Sequence, residues 1–190
     1  MNKRIGVLAI QGAFREHRKI LEKLGVETVE IRSQEDLSGI DGLIIPGGES
    51  TAIGKQLVID GFGEKIIKMA QEGFPVFGTC AGMILLSKKI DQSEQYSLKL
   101  MDTLVRRNAF GRQIASFEAD LKIKGFEGDR VRAVFIRAPF VLEAGAEIDV
   151  LSEYEGKIVF VRQDNLLASA FHPELTDDSR VHEYFLKMIP

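Results

Sequence analysis

The amino-acid sequence predicts an α/β fold: a doubly wound, mostly parallel sheet flanked by helices, with additional short antiparallel strands in the second half. Three observations carry this expectation. The first half alternates short apolar runs with amphipathic stretches of helical period. Its apolar runs, such as Gly42-Leu43-Ile44-Ile45, do not alternate, as befits parallel strands covered on both faces. The second half changes to alternating segments separated by glycine-containing turns such as Glu155-Gly156-Lys157.

Taken in order, Ile5–Ile10 reads as a strand, Phe14–Leu24 as a helix, Val26–Ile31 as a strand, and Gly42–Ile45 as a strand ending in Pro46-Gly47-Gly48. Helical patterns follow at about Thr51–Val58 and Gly63–Gln71. A buried strand, Phe74–Phe77, then runs into a helix at Met83–Leu86. Beyond it, Phe117–Lys124, Arg130–Ile136 and Ile158–Val161 alternate as short strands. Ala168–Phe171 is the last buried strand, and a helix spans about Asp178–Met188. No low-complexity linker or internal repeat divides the chain, so residues 1–190 are expected to form one domain.

The chain has 190 residues, enough to bury a full core without staples. Its single cysteine excludes an intramolecular disulfide and suits a reducing compartment. Met1–Val7 leads directly into a strand-like run without a long apolar segment, so no secretory signal is expected. No apolar run reaches membrane-spanning length. A net charge of −3 with interspersed signs gives no footprint for nucleic acid. A cytoplasmic protein is the expectation.

The most informative motif is Gly78-Thr79-Cys80-Ala81-Gly82. It lies where a buried strand turns sharply into a helix, the position of a nucleophile elbow, and small residues on either side permit the tight turn. The unpaired N–H groups at a helix start carry partial positive charge and favour a thiolate. A lone cysteine is commonly a small buried hydrophobe, and it is the flanking glycines that favour a nucleophile here.

A cysteine nucleophile needs a base, and there are three histidines. His17, within Arg15-Glu16-His17-Arg18, and His182, in the last helix, read as solvated helix-face residues. His172 ends a buried strand, and Pro173 holds the chain extended there. In an extended chain residues i and i+2 point the same way, so Glu174 can lie beside the imidazole and orient it. Cys80, His172 and Glu174 then form a catalytic set.

The third element is Pro46-Gly47-Gly48-Glu49-Ser50-Thr51, at the C-terminal end of a central strand, where ligands of doubly wound sheets collect. A peptide there can aim an N–H at a developing oxyanion, with the N–H of Ala81 as second donor. Gly48–Gln56 superficially resembles a phosphate-binding loop. Its glycine spacing is one residue too long, however, and Gln56 stands where Ser or Thr is required.

These residues resemble the class I, triad-type, glutamine amidotransferases, whose pattern is a glycine-rich oxyanion loop, a G-x-C-x-G elbow and a late H-P-E. Three further stretches, Ile5–His17, Arg107–Gln113 and Phe135–Pro139, look like one branch, the glutaminase subunit of pyridoxal 5′-phosphate synthase. With Phe171–Thr176 included, the resemblance spans nearly the whole chain and implies a flavodoxin-like sheet.

The resemblance implies hydrolysis of L-glutamine to L-glutamate and ammonia through a γ-glutamyl thioester on Cys80. His172 would protonate the departing ammonia and then activate water, with Glu174 orienting it. Gly47, Gly48, Glu49, Ser50, Ala81 and Ile136 would line the substrate pocket. Arg107 and Arg137 are the candidates for pairing with the α-carboxylate of glutamine. No cofactor and no metal is implied. Nothing in the chain supplies a site that consumes ammonia, so a partner is expected: by resemblance, a (β/α)₈ barrel synthase subunit. Three other readings remain: a glutaminase serving a histidine or purine pathway, an elbow-cysteine redox or stress protein without glutaminase activity, and a catalytically silent subunit that only stabilises a partner, against which the intact triad argues.

Overall fold

The computed structural model describes residues 3–108 and 115–190. The first half is built as the sequence predicts. Strands β1 (Arg4–Leu8), β2 (Glu27–Ile31), β3 (Gly42–Ile45) and β4 (Val76–Thr79) are linked by helices α1 (Phe14–Lys23), α2 (Ser50–Ile59) and α3 (Phe62–Gln71). A six-residue helix, α4 (Ala81–Leu86), follows β4 directly. Strands β5 (Ser87–Ile90), β6 (Met101–Arg106), β7 (Ser116–Leu121), β8 (Val131–Ile136), β9 (Phe140–Ala144), β10 (Asp149–Tyr154), β11 (Lys157–Gln163) and β12 (Leu166–Ser169) come next, and α5 (Arg180–Lys187) closes the fold.

The main sheet runs β2-β1-β3-β4-β12-β11-β9-β6-β5, with β10 paired to β11. From β2 through β12 every pairing is parallel; from β12 to β11, β9 and β6 they are antiparallel. β7 and β8 form a separate antiparallel ribbon. The central parallel strands β3, β4 and β12 are buried throughout, which suits apolar runs such as Gly42–Ile45, while the edge strand β2 is polar and mostly only half-buried. Large aromatic side chains fill the interior, among them Phe62, Phe77, Phe135, Phe160, Phe171 and Phe185.

Register fixes what meets at the edge of the sheet. Ile45 pairs with Gly78, and Thr79 with Ser169, so β3, β4 and β12 end level with one another. The segments leaving those three ends carry Gly47, Cys80 and His172. The backbone N–H of Cys80 donates to Ser169 O at 2.7 Å, and that of His172 to Val134 O in β8 at 2.8 Å. One candidate residue from each of three strands is thereby brought to a single crevice at the C-terminal edge, where ligands of such sheets bind.

The sequence-based expectation needs correction at two places. β12 ends at Ser169, and Glu174 lies in a short 3-10 turn, Pro173–Leu175, not in extended chain. Proline has its φ already set for a helical first position, so Pro173 starts a turn. His17 and His182 are not on solvated faces: both are completely buried, between α1, α5 and the sheet. Of the stretch Arg107–Gln113, residues 109–113 lie outside the described residues.

Candidate active site

Cys80 sits at the junction of β4 and α4 with φ 51° and ψ −100°, a conformation that residues with a Cβ rarely adopt. The turn is possible because Gly82 allows the helix to approach the neighbouring strand: a Cβ there would stand 2.2 Å from Ile45 O. Helix α4 is buried along its whole length, which holds the elbow rigid. The Sγ atom lies 3.9 Å from the backbone oxygen of Ile136.

His172 Nδ1 is 2.7 Å from Glu174 Oε1. Both side chains are nearly inaccessible to solvent. This contact uses Nδ1 as donor, which leaves Nε2 as the nitrogen that can serve Cys80. Burial alone opposes a charged imidazole. The hydrogen-bonded Cys80 and the adjacent Glu174 carboxylate outweigh it, and the His172 pKa is pushed up to about 10. Burial likewise opposes a charged Glu174, but the neighbouring His17 and the hydrogen bond from His172 hold its pKa below the usual carboxylate value. The site therefore favours an imidazolium braced by a carboxylate beside the sulfur.

The segment after β3 faces this pair. Gly47 N–H donates to Thr79 Oγ1 at 3.1 Å, and Gly47 O accepts from Ala13 N–H at 3.1 Å. In a trans peptide C=O and N–H point in opposite directions, so the Gly48 N–H points away from Ala13. Glu49 N–H donates to Gln11 Oε1 at 2.8 Å. The Glu49 carboxylate caps α2, accepting from Thr51 N at 3.1 Å and Ala52 N at 2.8 Å. Burial works against that carboxylate, but these bonds and nearby Arg107 hold its pKa low. Ser50 is buried and its Oγ lies 3.3 Å from Gln95 Oε1.

Gly47, Gly48, Glu49, Ser50, Cys80, Arg107, Ile136, Arg137 and His172 all line one cavity of about 310 Å³. A volume of this size suits a small metabolite. Ala81, at the first turn of α4, is buried directly behind Cys80. The Arg107 guanidinium is already engaged, by Gln95 Oε1 and by Thr51 Oγ1 at 3.4 Å, and its Nη2 lies 3.9 Å from Glu49 Oε1. Arg137 has φ 44°, the left-handed region, and is anchored by its N–H to Ala115 O at 2.7 Å. Among the described residues no group of three or more His, Cys, Asp or Glu side chains gathers as a metal site.

Sequence reasoning missed the layer behind the pocket. His17 Nδ1 is 2.9 Å from His182 Nε2, and His17 Nε2 is 3.1 Å from Thr79 Oγ1 and 3.4 Å from Glu174 Oε2. The signal was helical phase: His17 lies on one face with Ile20 and Leu21, the other buried residues of α1.

An elbow cysteine facing a histidine–carboxylate pair and a glycine loop, at the strand ends of a doubly wound sheet, defines the class of the triad-type glutamine amidotransferases. Solved structures agree. One described as "Crystal structure of glutamine amidotransferase" superposes with a TM-score of 0.93 at 48% identity, covering 97% of each chain. Another, "Structure of PurLQS from Thermotoga maritima", shares the fold at a TM-score of 0.74 and 18% identity, over 98% of this chain and 99% of that one. The chain belongs to the SNO glutamine amidotransferase family, whose model matches residues 7–190. Relatives include "Pyridoxal 5'-phosphate synthase subunit PdxT" of Moorella thermoacetica, 59% identical over 98% of this chain and 99% of the relative. The protein of the same name from Carboxydothermus hydrogenoformans is 57% identical over 98% and 97%.

Proposed function

We propose that this chain is the glutaminase subunit of a pyridoxal 5′-phosphate synthase, acting as a single domain that hydrolyses L-glutamine to L-glutamate and ammonia. The observation that carries this reading is the convergence of Cys80, His172 and the Gly47–Gly48 peptide on one cavity, with Glu174 bonded to His172 from behind. The names of close relatives, at 57–59% identity, direct it to this branch.

In the proposed reaction the Cys80 thiolate attacks the γ-carbonyl carbon of glutamine. The charge that develops on the carbonyl oxygen is met by the N–H groups of Gly48 and Ala81. The tetrahedral species collapses as His172 gives its Nε2 proton to the departing nitrogen, releasing ammonia and leaving a γ-glutamyl thioester. Water enters, His172 takes its proton, and attack on the thioester carbon releases glutamate and restores the Cys80 thiolate. Glu174 keeps the Nδ1 proton of His172 in place throughout and balances the imidazolium charge.

Arg137 and Arg107 are the cations for the substrate α-carboxylate. The left-handed backbone at Arg137 fits a residue held in place for contact with a ligand. Arg107 would exchange part of its present contact with Gln95 for the substrate, while Glu49 and Ser50 shape the floor. Ile136 offers backbone atoms next to Cys80.

The partner in this reading is a (β/α)₈ barrel synthase subunit that consumes the ammonia inside the complex, away from water. Docking completes the oxyanion hole by setting the Gly47–Gly48 peptide. The Gly47 carbonyl is tied to Ala13 N–H, and Glu49 N–H to Gln11, so a partner that presses on Gln11 and Gly12 reaches the peptide through two hydrogen bonds. A reducing, cytoplasmic setting suits the free Cys80.

Glutamate release by wild type and Cys80→Ala, each alone and with the barrel synthase and its sugar phosphates, tests the reading. Cys80-dependent release that rises on adding the synthase is the expected result. No Cys80-dependent release in either condition would remove the glutaminase, and equal release with and without the partner would remove the gate.

A further inference from the structure

Behind the pocket lies a cluster of buried titratable groups to which the reaction assigns no work: His17, His182 and the second oxygen of Glu174. Among the described residues, Glu174 Oε2 and His182 Nδ1 are the buried side-chain polar atoms without a well-formed hydrogen bond. Between them stands His17, bridging His182 Nε2 at 2.9 Å, Thr79 Oγ1 at 3.1 Å and Glu174 Oε2 at 3.4 Å.

The proton positions follow from elimination. Both rings are neutral: burial lowers the pKa of His17 and brings that of His182 down to about 3. If His17 carried its proton on Nδ1, a bare Nε2 lone pair would face the Glu174 carboxylate, and His182 would keep a buried N–H with nothing to accept it. With the proton on Nε2 of each ring, His182 donates to His17 Nδ1 and an N–H faces the carboxylate; the Thr79 hydroxyl hydrogen then lacks an acceptor, as the His182 N–H does in the other case, so it is the charge of Glu174 that decides between them. His17 Nε2–H is then directed at Thr79 Oγ1 and Glu174 Oε2. Thr79 Oγ1 is also the acceptor for Gly47 N–H, at 3.1 Å.

We propose that His17 is a positioning residue whose single Nε2–H, bonded to Thr79 Oγ1 and facing Glu174 Oε2 at 3.4 Å, sets the carboxylate behind His172 and, through Thr79, the Gly47 peptide. One imidazole thereby holds both the proton-transfer half and the oxyanion half of the site in register. Its hold on Glu174 is that of an N–H dipole, not of a full charge. The catalytic readout rests on the glutaminase reading; the thiol readout below does not.

Two near-isosteric replacements separate this role from space filling. In His17→Gln the amide reaches the place of Nε2 and can still donate toward Thr79 and Glu174. In His17→Asn it reaches only the place of Nδ1. Glutamine hydrolysis by the complex with the barrel synthase, and alkylation of Cys80 by iodoacetamide, are both followed against pH. Cys80 is the only cysteine in the chain, so the label reports one site.

The expected result is that His17→Asn lowers kcat about ten- to a hundredfold, the cost of leaving buried polar atoms around Thr79 and Glu174 without their N–H neighbour, with KM nearly unchanged. Its acidic limb moves to higher pH in both profiles, because a carboxylate deprived of its donor protonates sooner. The groups facing His17 are Glu16 on its own helix, Glu174 and His172 from the turn, and His182 from α5. His17→Gln stays within about threefold of wild type in kcat.

Equal losses in the two variants, unshifted profiles, or a fully active His17→Asn would overturn the proposal. If His17→Asn does not fold, Thr79→Val against Thr79→Ser decides: the loss must follow the hydroxyl. A wild type that hydrolyses no glutamine removes the glutaminase reading, while the alkylation profiles still test His17.

Discussion

A Cβ built on Gly47 would stand 2.4 Å from His172 Cε1, 3.0 Å from its Nδ1 and 3.4 Å from Cys80 Cβ. No rotation of a methyl group relieves such contacts, and the imidazole or the Gly47 peptide must move. A displacement near 1 Å costs on the order of a hundredfold in rate. Gly47→Ala is therefore expected to lower kcat for glutamine hydrolysis at least that far, and an activity within tenfold of wild type would contradict the geometry. Glu174→Gln keeps the volume but removes the charge that balances the imidazolium. By comparison with a triad carboxylate changed to its amide, kcat should fall by roughly 10³ to 10⁴ with little change in KM. The pKa of His172, raised in part by that carboxylate, should fall with it. That Cys80, His172 and Glu174 lie close together was legible from short motifs, although Glu174 reaches His172 from a 3-10 turn and not from the extended chain that the i, i+2 spacing suggested. His17 was not, since its neighbours Arg15, Glu16 and Arg18 suggest a wet surface. The helical period puts those three elsewhere and leaves His17 on the face with Ile20 and Leu21.

Helix α2 begins at the loop that shapes the pocket, and its cap belongs to both. Glu49 accepts from the N–H groups of Thr51 and Ala52, two of the four donors that a helix start leaves unpaired. Glu49→Ala should cost about 1 kcal/mol, the usual worth of a side-chain cap. In a chain of this size that lowers the thermal midpoint by roughly 2–4 °C. An unchanged midpoint in calorimetry would show that the cap is not needed. The elements that the sequence revealed are those with one dominant pattern: β3 coincides with the predicted Gly42–Ile45, and α3 differs by a single residue. The four strands not anticipated have mixed patterns. β5 places exposed Lys88 and Lys89 between two buried ends, with a register shift beside them. β10 shifts register on either side of Ser152, which breaks the alternation. In β6 the alternation is present, but Thr103 takes one of the three buried positions, so counting apolar residues missed it.

At the scale of the whole molecule, the buried histidines make folding depend on pH with a sign that can be worked out. His182 titrates near 6.5 when unfolded and near 3 in the fold, because burial disfavours its charge. Below pH 6.5 the unfolded chain binds a proton that the folded chain refuses, so stability falls as pH falls. From pH 7 to pH 5 this one residue should remove about 2 kcal/mol. His17, lowered by the same burial, acts in the same direction. Glu174, whose folded pKa is depressed, adds its own loss only below the unfolded carboxylate value of 4.5. His172 is the opposite case: its pKa of about 10 gives stability that is complete below pH 6.5 and declines as pH rises toward 10. Between pH 7 and pH 5 it works weakly against the acid loss, by less than about 1 kcal/mol, as the unfolded imidazole takes up its proton, and it does so equally in wild type and in a His182 variant. Urea unfolding at pH 7 and pH 5 should thus show a marked acid loss in the wild type, and a loss about 2 kcal/mol smaller in His182→Gln. The variant's lower stability at neutral pH does not obscure this, because the comparison is between slopes. Equal slopes would mean that His182 is charged in the folded protein.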